Sequence, residues 1–342
     1  MLKKKSNKKK LKTILIGFGN FASGFPEDPR MRKYYKFCSH ADVLSSHRSY
    51  EWDAVVDPNT EKRNLAKNKW KIPIVVKDVK NLPQDYSADV AVVSSPPNTR
   101  VKIIQSLNVK KGLLLEKPLA SNYEDAKKIK EICGKKKLIT QVNFFRRANK
   151  TNNFIKKKFL KRAIGDLQCG FCIYGKGLKN NGIHYIDLVR MIFGDIFYLR
   201  SLTKFSKNKN VNMNDNFSFI LGFKNKKEIF FSHIDFKSYR EIYLDIWGKK
   251  GRLEFLLEGI KIRYSSVKKH RAINNFNELN SDKPKYIEPF LGEEYYDIYS
   301  NLADSINRKK KLVSGLNNAI SNEYVVDRII YSSKNNNKLI KL

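Results

Sequence analysis

The sequence predicts an α/β fold in which a doubly wound parallel sheet is followed by an α+β domain with a large, open and mostly antiparallel sheet. Two observations support this prediction. Up to about Arg147, short apolar runs alternate with helical patterns, which is typical of parallel strands connected by helices. After Arg147, strand patterns follow one another with short polar turns, which is typical of an antiparallel sheet. At 342 residues, the chain is long enough to bury a core in each of two domains.

The first predicted strand ends in a glycine-rich turn. Residues 13–16 are an apolar run that leads directly into Gly17-Phe-Gly-Asn-Phe-Ala22. This is the G-x-G-x-x-G/A pattern of dinucleotide-binding turns, placed between a strand and a predicted helix. Gly17 would permit the tight turn, Gly19 would let the backbone approach a pyrophosphate, and Ala22 would keep the helix close to the sheet. The pattern therefore predicts a Rossmann domain.

An acidic residue follows the second predicted strand, residues 51–56. A carboxylate at the tip of this strand typically holds the adenosine ribose, and Asp57 occupies the tip here. Because a carboxylate repels the 2′-phosphate of NADP, we expect NAD(H) to be preferred over NADP(H), although Lys62 and Arg63 leave some room for a phosphate. The connection before this strand is about twice the usual length, and we interpret residues 24–50 as a lengthened loop and helix beside the cofactor.

The rest of the first half alternates strands with helices. The prolines of Ser94-Ser-Pro-Pro-Asn98 end the fourth strand, since proline cannot donate to a strand ladder. Ser121, with Glu124 three residues later, is the predicted N-cap of a helix. The strands predicted after the second one are residues 74–76, 88–93, 113–115 and 138–144. The predicted helices are residues 59–69, 99 to about 109, and 122–133.

The central strand of this sheet ends abruptly in Glu116-Lys117-Pro118. Its apolar run is typical of a buried parallel strand that stops at the carboxyl edge of the sheet, where open α/β folds bind their ligands. A partly desolvated lysine at such an edge can act as a base or can stabilise a developing negative charge. We therefore predict that Lys117 is catalytic; the alternative is a solvent-facing lysine in a lysine-rich chain.

The pattern after Arg147 is that of the α+β domain. His184 follows Asn180-Asn-Gly182 at a predicted helix start, where polar groups and free amides can reach a ligand; its alternative role is that of a capping or core histidine. The predicted helices are residues 152–162, 183–193, 293–307 and 316–333. The predicted strands are residues 167–174, 196–205, 217–223, 228–236, 242–247, 252–257 and 260–264.

The composition limits the function. A formal net charge of +35 suggests a nucleic-acid partner. The lysines are spread along the whole chain, however, and neither arginines interleaved with aromatics nor a zinc-ligand spacing is present. We therefore expect a preference for small anionic molecules and no nucleic-acid partner, and we interpret residues 1–12 as a solvated basic arm. No apolar run is long enough to cross a bilayer or to act as a secretory signal, so we expect a cytoplasmic protein.

Two of the four cysteines, Cys169 and Cys172, have a suggestive spacing. They lie within the predicted strand 167–174, so that residues three apart point to opposite faces. A redox pair normally opens a helix, and a structural zinc site needs a second pair. We therefore expect ordinary thiols and no metal site.

These features together resemble one family. The similarity rests on a strand followed by GFGNFA, then Asp57, SSPPN, LLLEKPLA, QVNFFRR and NNGIHYIDL. On these motifs, the chain is similar to the Gfo/Idh/MocA oxidoreductases over essentially its whole length, and EKP is the most specific of them. The resemblance implies a nicotinamide-dependent enzyme of sugars, cyclitols or nucleotide sugars. It also implies a dinucleotide-binding Rossmann domain at residues 13–146 and a substrate-binding and oligomerisation domain at residues 147–342, whose open sheet mediates homodimers or homotetramers.

The resemblance further implies roles for individual residues. Lys117 would be the active-site lysine, followed by a proline that is often cis, and His184 would be the candidate acid/base. The residues that would contact the cofactor are Gly17, Phe18, Gly19, Asn20 and Phe21 at the pyrophosphate, Asp57 at the ribose, and Ser95, Pro96, Asn98 and Glu116 on the nicotinamide side. The residues that would contact the substrate are Lys117, Asn180, His184 and Asp187.

Two positions depart from the family's pattern. The family often has an aspartate four residues before the histidine, where this chain has Asn180. An aspartate would orient the imidazole and raise its pKa, whereas a neutral amide can only orient it. The departure therefore weakens the case for His184 in proton transfer and strengthens the case for Lys117. A histidine often found shortly after the Pro-Pro step is Arg100 here, which could matter for substrate or be a surface replacement.

The resulting hypothesis is an NAD-dependent dehydrogenase or reductase that transfers hydride between NAD(H) and a hydroxyl or keto carbon of a sugar, cyclitol or nucleotide sugar. The positive field would favour a phosphate-bearing substrate. Two alternatives stay open: a non-catalytic NAD-binding regulator of the same fold, and a glycosidase that uses NAD for transient oxidation and elimination. Retention of both Lys117 and His184 favours an enzyme over a regulator.

Overall fold

The protein forms two compact units. The computed structural model describes residues 9–24, 29–208 and 210–342, so residues 1–8 of the predicted basic arm and residues 25–28 of the predicted long loop lie outside the described residues. Unit 1 consists of the described chain up to Ala148 together with Leu291–Ile320, and unit 2 consists of Asn149–Phe290 and Ser321–Leu342. The sequence predicted a single transition after residue 146, whereas the chain returns to unit 1 once and then leaves it again.

Unit 1 contains a parallel sheet of six strands in the order β3-β2-β1-β4-β5-β6. This is the doubly wound order, so the predicted fold class of the first half is confirmed. The strands are β1 Leu11–Ile16, β2 Tyr50–Val56, β3 Ile74–Val76, β4 Ala88–Val93, β5 Val109–Leu115 and β6 Ile139–Val142. The helices of its first part are α1 Asn20–Ser23, α2 Pro29–Tyr34, α3 His40–Ser46, α4 Thr60–Trp70, α5 Arg100–Ser106 and α6 Tyr123–Lys135.

Several element boundaries differ from the predicted ones. β1 begins at Leu11, so the last two residues of the predicted basic arm belong to the sheet. The predicted N-cap Ser121 is wrong by one residue, because Asn122 accepts the hydrogen bond from Asp125 N–H at 2.8 Å that begins α6. The predicted end of α5 at Val109 is also wrong, because Val109 already pairs with β4 as the first residue of β5.

The connection before β2 carries two helices, α2 and α3, where the sequence predicted a loop and one helix. We call residues 29–49 the inserted segment. Arg32 of α2 donates to the Asp42 carboxylate of α3 at 2.7 Å, which ties the two helices together. Phe37 N–H donates to the carbonyl of Gly292 at 3.1 Å, so the segment is also bound to the part of the chain that returns to unit 1.

The returning part of unit 1 is centred on α9, Glu294–Arg308. Ile298, Tyr299, Leu302 and Ala303 recur at helical spacing, are at most 3% exposed, and belong to the apolar core that also contains residues of β1, β2, β4 and β5. Burial of this apolar face is the physical reason that residues 291–320 belong to unit 1 and not to the second domain.

Unit 2 is built on a mixed sheet that, in the described part of the chain, has ten strands in the order β14-β13-β12-β11-β7-β10-β9-β8-β16, with β15 beside β13. β7 and β10 are parallel and the other neighbouring strands of this order are antiparallel, which confirms the predicted mostly antiparallel sheet. The strands are β7 Leu167–Tyr174, β8 Tyr198–Ser201, β9 Phe219–Phe223, β10 Lys227–His233, β11 Tyr243–Gly248, β12 Gly251–Leu256, β13 Lys261–Lys269, β14 Asn277–Leu279, β15 Lys285–Ile287 and β16 Ile340–Lys341. The last three are too short and polar to stand out in the sequence.

In sequence, the helices of unit 2 lie before and between the strands of this sheet. Cys172 of β7 is buried and Cys169 is half-buried, and the two thiols lie on opposite faces of the strand, as predicted. Among the described residues, no helix is both long and apolar enough to span a membrane. The helices are α7 Lys150–Phe154, continued as a π-helix over Ile155–Ile164, then α8 Ile183–Phe193 after a π-helical turn over Leu178–Gly182, and α10 Leu316–Lys334, which begins in unit 1.

The buried His47 of the inserted segment makes the stability of unit 1 depend on pH. Its Nδ1 accepts from Ser49 N–H at 3.2 Å, so the neutral ring donates from Nε2 to Ser300 Oγ at 2.9 Å. Burial, with the nearby Arg48 charge, lowers the pKa of His47 from 6.5 to about 4. As the pH falls below 6.5, His47 binds a proton in the unfolded chain but not in the folded chain. The free energy of unfolding therefore decreases between pH 6.5 and about 4.

We expect His47→Gln to remove this component, which amounts to at most about 3 kcal/mol between pH 7 and pH 4. The free energy of unfolding would be measured by denaturant titration at several pH values. His233→Gln, at an exposed histidine, is the control and should keep the slope of the natural chain. An unchanged slope in His47→Gln would contradict the assignment.

Candidate functional site

The glycine-rich turn after β1 has no room for a side chain at its first glycine. Gly17 has φ +83°, and its N–H donates to the carbonyl of Val56 at 2.8 Å. A Cβ on Gly17 would lie 2.7 Å from the backbone nitrogen of Ser95, which is too close for any other residue. The tight turn predicted at Gly17 is therefore present, and it brings the end of β1 against the loop after β4.

The second glycine of the turn has the opposite surroundings. A Cβ on Gly19 would meet no atom within 4 Å, and Gly19, Asn20 and Phe21 are all exposed. Phe18 and Ala22, in contrast, are fully buried beneath them. The turn thus presents open backbone on one side and packs on the core with the other, which fits the approach of a dinucleotide pyrophosphate.

Asp57 lies directly after β2 and is 7% exposed. Its Oδ2 accepts from Phe18 N–H at 2.5 Å and its Oδ1 accepts from Asn59 N–H at 2.8 Å, so the carboxylate joins the glycine-rich turn to the next loop. Each carboxylate oxygen retains a second lone pair that can accept a ribose hydroxyl. The position therefore suits the predicted ribose contact.

Two cations follow Asp57 on α4, and each already has a partner in unit 1. Lys62 Nζ donates to Asn20 Oδ1 at 3.2 Å, which places an ammonium beside the glycine-rich turn. Arg63 Nη1 donates to the carbonyls of Asp57 and Pro58 at 2.9 and 2.7 Å. Arg63 is thereby directed at the loop backbone.

The loop after β4 contains the other residues predicted at the nicotinamide side. Ser95 is 6% exposed, and its Oγ accepts from Thr99 Oγ1 at 3.0 Å. Pro96 and Asn98 are exposed around the short 3₁₀-helix Pro97–Thr99. Ser95 thus belongs to the wall of this loop, whereas the other two lie on its surface.

Arg100, which the sequence left open as a substrate contact or a surface replacement, is only 2% exposed and is therefore not a surface residue. Its Nε and Nη2 donate to the carbonyl of Ser95 at 3.0 and 2.8 Å. Its Nη1 donates to the carbonyls of Glu116 and Pro118, and to that of Leu119 at 3.3 Å. This guanidinium joins the loop after β4 to the end of β5.

Glu116 is a buried carboxylate at the end of β5, 5% exposed. Its Oε1 contacts His40 Nε2 at 2.9 Å and accepts from the Asn143 amide, and its Oε2 accepts from Lys117 N–H at 3.2 Å. Burial raises the pKa of Glu116, but the hydrogen bonds from His40 and Asn143 outweigh it, so the pKa lies below its usual value. The carboxyl is therefore ionised at neutral pH.

Lys117 is half-buried, and its Nζ lies 5.8 Å from the centroid of the Phe21 ring in the glycine-rich turn. The Lys117–Pro118 peptide bond is cis, as the resemblance implied. The structure thus brings the predicted lysine together with the predicted cofactor residues of unit 1 at the carboxyl ends of the parallel strands. An ammonium here can stabilise a developing alkoxide or, once neutral, accept a proton.

The remaining predicted residues lie in unit 2. His184, 8% exposed, is the second residue of α8, and Asn180 lies in the π-helical turn before it. Asp187 is 1% exposed and its Oδ1 accepts from Asn322 at 2.7 Å, while Asn322 accepts from Arg190 at 2.6 Å. Asp187 is thus engaged by α10 within its own unit, and its role toward substrate stays a prediction.

Sequence reasoning assigned no role to His40, Tyr299 or Asn143. His40 lies 76 residues from Glu116, and its Nδ1 contacts the hydroxyl of Tyr299, 259 residues further on, at 2.8 Å. No local pattern marks contacts of such separation. Asn143, in contrast, lies within the QVNFFRR stretch on which the family resemblance rests, so a signal for it was present.

The two glycines of the turn make a matched pair for mutation. Gly17→Ala should cost about 1–3 kcal/mol of stability, because of its positive φ and the clash with the loop after β4. Gly19→Ala should change the free energy of unfolding by less than about 0.5 kcal/mol, yet its methyl would stand where the pyrophosphate approaches and should weaken NADH binding roughly tenfold or more. Denaturant unfolding without ligand and NADH fluorescence titration separate the two effects. Equal losses of stability would refute this account of the turn.

Comparison with solved structures shows where this fold recurs. The putative oxidoreductase yvaA from Bacillus subtilis is 17% identical, with 98% of each chain covered and a TM-score of 0.77. A levoglucosan dehydrogenase in complex with NADH and L-sorbose is 16% identical over 97% of this chain and 99% of that chain, with a TM-score of 0.73. The WlbA dehydrogenase from Bordetella pertussis, in complex with NADH and UDP-GlcNAcA, is 15% identical over 98% and 99%, with a TM-score of 0.69. At these identities the likeness shows the fold alone.

Comparison with protein families covers most of the chain. A search of curated proteins found no match. Residues 11–144 match the oxidoreductase family with an NAD-binding Rossmann fold, and residues 174–342 match the C-terminal alpha/beta domain of the same family. Unit 1 therefore carries an NAD-binding Rossmann fold, in agreement with its open glycine-rich turn and Asp57. The chain belongs to the Gfo/Idh/MocA family of oxidoreductases.

Proposed function

We propose that this protein is an NAD(H)-dependent dehydrogenase or reductase that acts on a hydroxyl or keto carbon of a sugar or nucleotide sugar. The observation that carries the proposal is Lys117: a half-buried ammonium at the carboxyl end of β5, within cation–π distance of the exposed Phe21 of the glycine-rich turn. NAD, when bound, supplies the hydride acceptor or donor. A non-catalytic NAD-binding regulator would need no such lysine.

In this proposal, Lys117 stabilises the developing alkoxide and exchanges the hydroxyl proton. His184 is the second candidate for proton transfer, with Asn180 orienting it and Asp187 beside it as a substrate ligand. Because a neutral amide at Asn180 cannot raise the basicity of the histidine as a carboxylate would, Lys117 carries the main part of the role.

The sugar class of the substrate is supported by two of the similar structures, which were crystallised with L-sorbose and with UDP-GlcNAcA. The formal net charge of +35 favours a substrate that carries phosphate. NAD(H) is preferred over NADP(H) in this proposal because Asp57 would repel a 2′-phosphate, while Arg63 donates to loop carbonyls.

We also propose self-association as a homodimer or homotetramer through the open face of the unit 2 sheet. Phe171, 45% exposed, stacks on Phe230 with ring centroids 5.5 Å apart. Directly opposite Phe171 in the strand pairing, Asp245 accepts from Arg252 Nε at 2.9 Å, so these two charges beside the aromatic pair neutralise each other. A cytoplasmic location and the absence of a nucleic-acid partner stay predictions.

Thermal unfolding with NADH, NADPH and a panel of nucleotide sugars tests cofactor and substrate class together. A ligand at a hundred times its dissociation constant should add about 2.7 kcal/mol of stability. We expect stabilisation by NADH, a smaller effect of NADPH, and a further increase with one sugar. Stabilisation by neither nicotinamide would refute the proposal, and salt-sensitive DNA binding that responds to NAD would replace it with the regulator. Turnover without net consumption of NAD would indicate the glycosidase instead.

Replacement of the lysine tests the catalytic role. Lys117→Met should lower turnover roughly 10³-fold or more, because both the positive charge and the exchangeable proton are removed. Binding of NADH, measured by fluorescence titration, should change little, since the pyrophosphate and ribose contacts remain. Lys128→Met, at an exposed lysine of α6, is the control and should keep full activity. Retained turnover in Lys117→Met would remove the lysine from the mechanism.

A further inference from the structure

The peptide unit between Glu116 and Lys117 is held at both of its polar ends. Its carbonyl accepts a hydrogen bond from Arg100 Nη1, and its N–H donates to the Glu116 side-chain Oε2 at 3.2 Å. In a trans peptide the C=O and the N–H point in opposite directions, so two different groups are needed to hold them. Both of these groups are buried side chains, and neither belongs to the sheet ladder.

The backbone hydrogen bonds of the sheet do not hold this peptide unit. β5 ends at Leu115, and Glu116 N–H still donates to the carbonyl of Val93 at 3.0 Å. One step further on, Pro118 has no N–H to donate. The direction of the chain at Lys117 therefore depends on side-chain contacts.

Arg100 supplies the first set of contacts. Besides the Glu116 carbonyl, it donates to the carbonyls of Pro118, Leu119 and Ser95, which lie on both sides of Lys117 and in the neighbouring loop. The guanidinium has five donors in one rigid plane, which suits several carbonyls at once. A lysine at this position would keep the charge but present its three donors from a single atom.

His40 supplies the second set of contacts through the Glu116 carboxylate. It is fully buried, with Nε2 at 2.9 Å from Glu116 Oε1 and Nδ1 at 2.8 Å from the Tyr299 hydroxyl. The histidine is thus fixed between the inserted segment and α9, and the carboxylate that receives the Lys117 N–H is fixed by the histidine together with Asn143.

We propose that Arg100 and His40 are positioning residues that set the direction of the Lys117 side chain by holding the peptide before it from both ends. The inference rests on the proposed function for the role of Lys117, but not for the hydrogen bonds themselves. Through His40, which precedes Glu116 by 76 residues in the chain, the inserted segment takes part in the site.

The test uses Arg100→Lys and His40→Gln in the full-length protein. Amide hydrogen exchange at Lys117, read without cofactor, should accelerate roughly tenfold or more in His40→Gln, because a flexible glutamine cannot hold the Glu116 carboxylate and the Tyr299 hydroxyl together as the imidazole does, while core strand amides keep their protection. With cofactor and substrate, each variant should lower kcat about 10- to 100-fold, since small misplacements of a reacting group cost rates of this size. The dissociation constant of NADH should stay within about threefold.

Two control variants separate positioning from a loss of general stability. His47→Gln removes a buried histidine of the same inserted segment, and Arg308→Lys changes an exposed arginine of α9; neither contacts the Glu116–Lys117 peptide. Both should leave kcat and Lys117 exchange unchanged. If Arg100→Lys does not fold, the exchange measurement on His40→Gln still tests the proposal.

Unchanged Lys117 exchange in a folded His40→Gln protein would overturn the proposal, as would acceleration spread equally over all core amides. A kcat equal to that of the natural chain in both folded variants would overturn it too. If Lys117→Met retains turnover while His40→Gln accelerates exchange at Lys117, the proposed function has failed and the positioning contacts stand, so the two failures are distinguishable.

Discussion

The buried carboxylate of Glu116 is the constraint around which unit 1 is arranged. Removing a charge from water costs several kcal/mol unless hydrogen bonds compensate it. His40, Asn143 and the Lys117 N–H provide this compensation. Each of these partners belongs to a different part of the chain, so the carboxylate can be buried only when the inserted segment, β5 and the residues after β6 are all in place.

The same constraint explains why α9 returns to unit 1. Tyr299 contacts the far side of the His40 ring, and Gln141 Nε2 donates to the carbonyl of Ile298 at 2.7 Å, so α9 completes the polar contacts of the strand ends as well as the apolar core. A helix that lies between two segments of unit 2 in sequence thus belongs to unit 1 in space. Polar and apolar contacts select the same position for it, which is the consistency expected of a specified fold.

The strongly basic composition has a limited influence on the site itself. Besides Lys117, three cations around the glycine-rich turn and the end of β5 are directed at defined acceptors: Arg100 at backbone carbonyls, Arg63 at the loop after β2, and Lys62 at Asn20. The positive charge of the chain therefore gives a general preference for anions, while the specific chemistry depends on a few oriented groups.

Features that depend on short-range sterics and periodicity could be predicted from the sequence alone. The turn at Gly17, the carboxylate of Asp57 directly after β2, the end of β5 before Lys117 and the two sheet types were all predictable, because each depends on the identity of a few nearby residues. The contacts of His40 with Glu116 and Tyr299, and the return of α9, became visible only in the folded protein. These depend on contacts between residues tens to hundreds of positions apart, which leave no pattern in any local window.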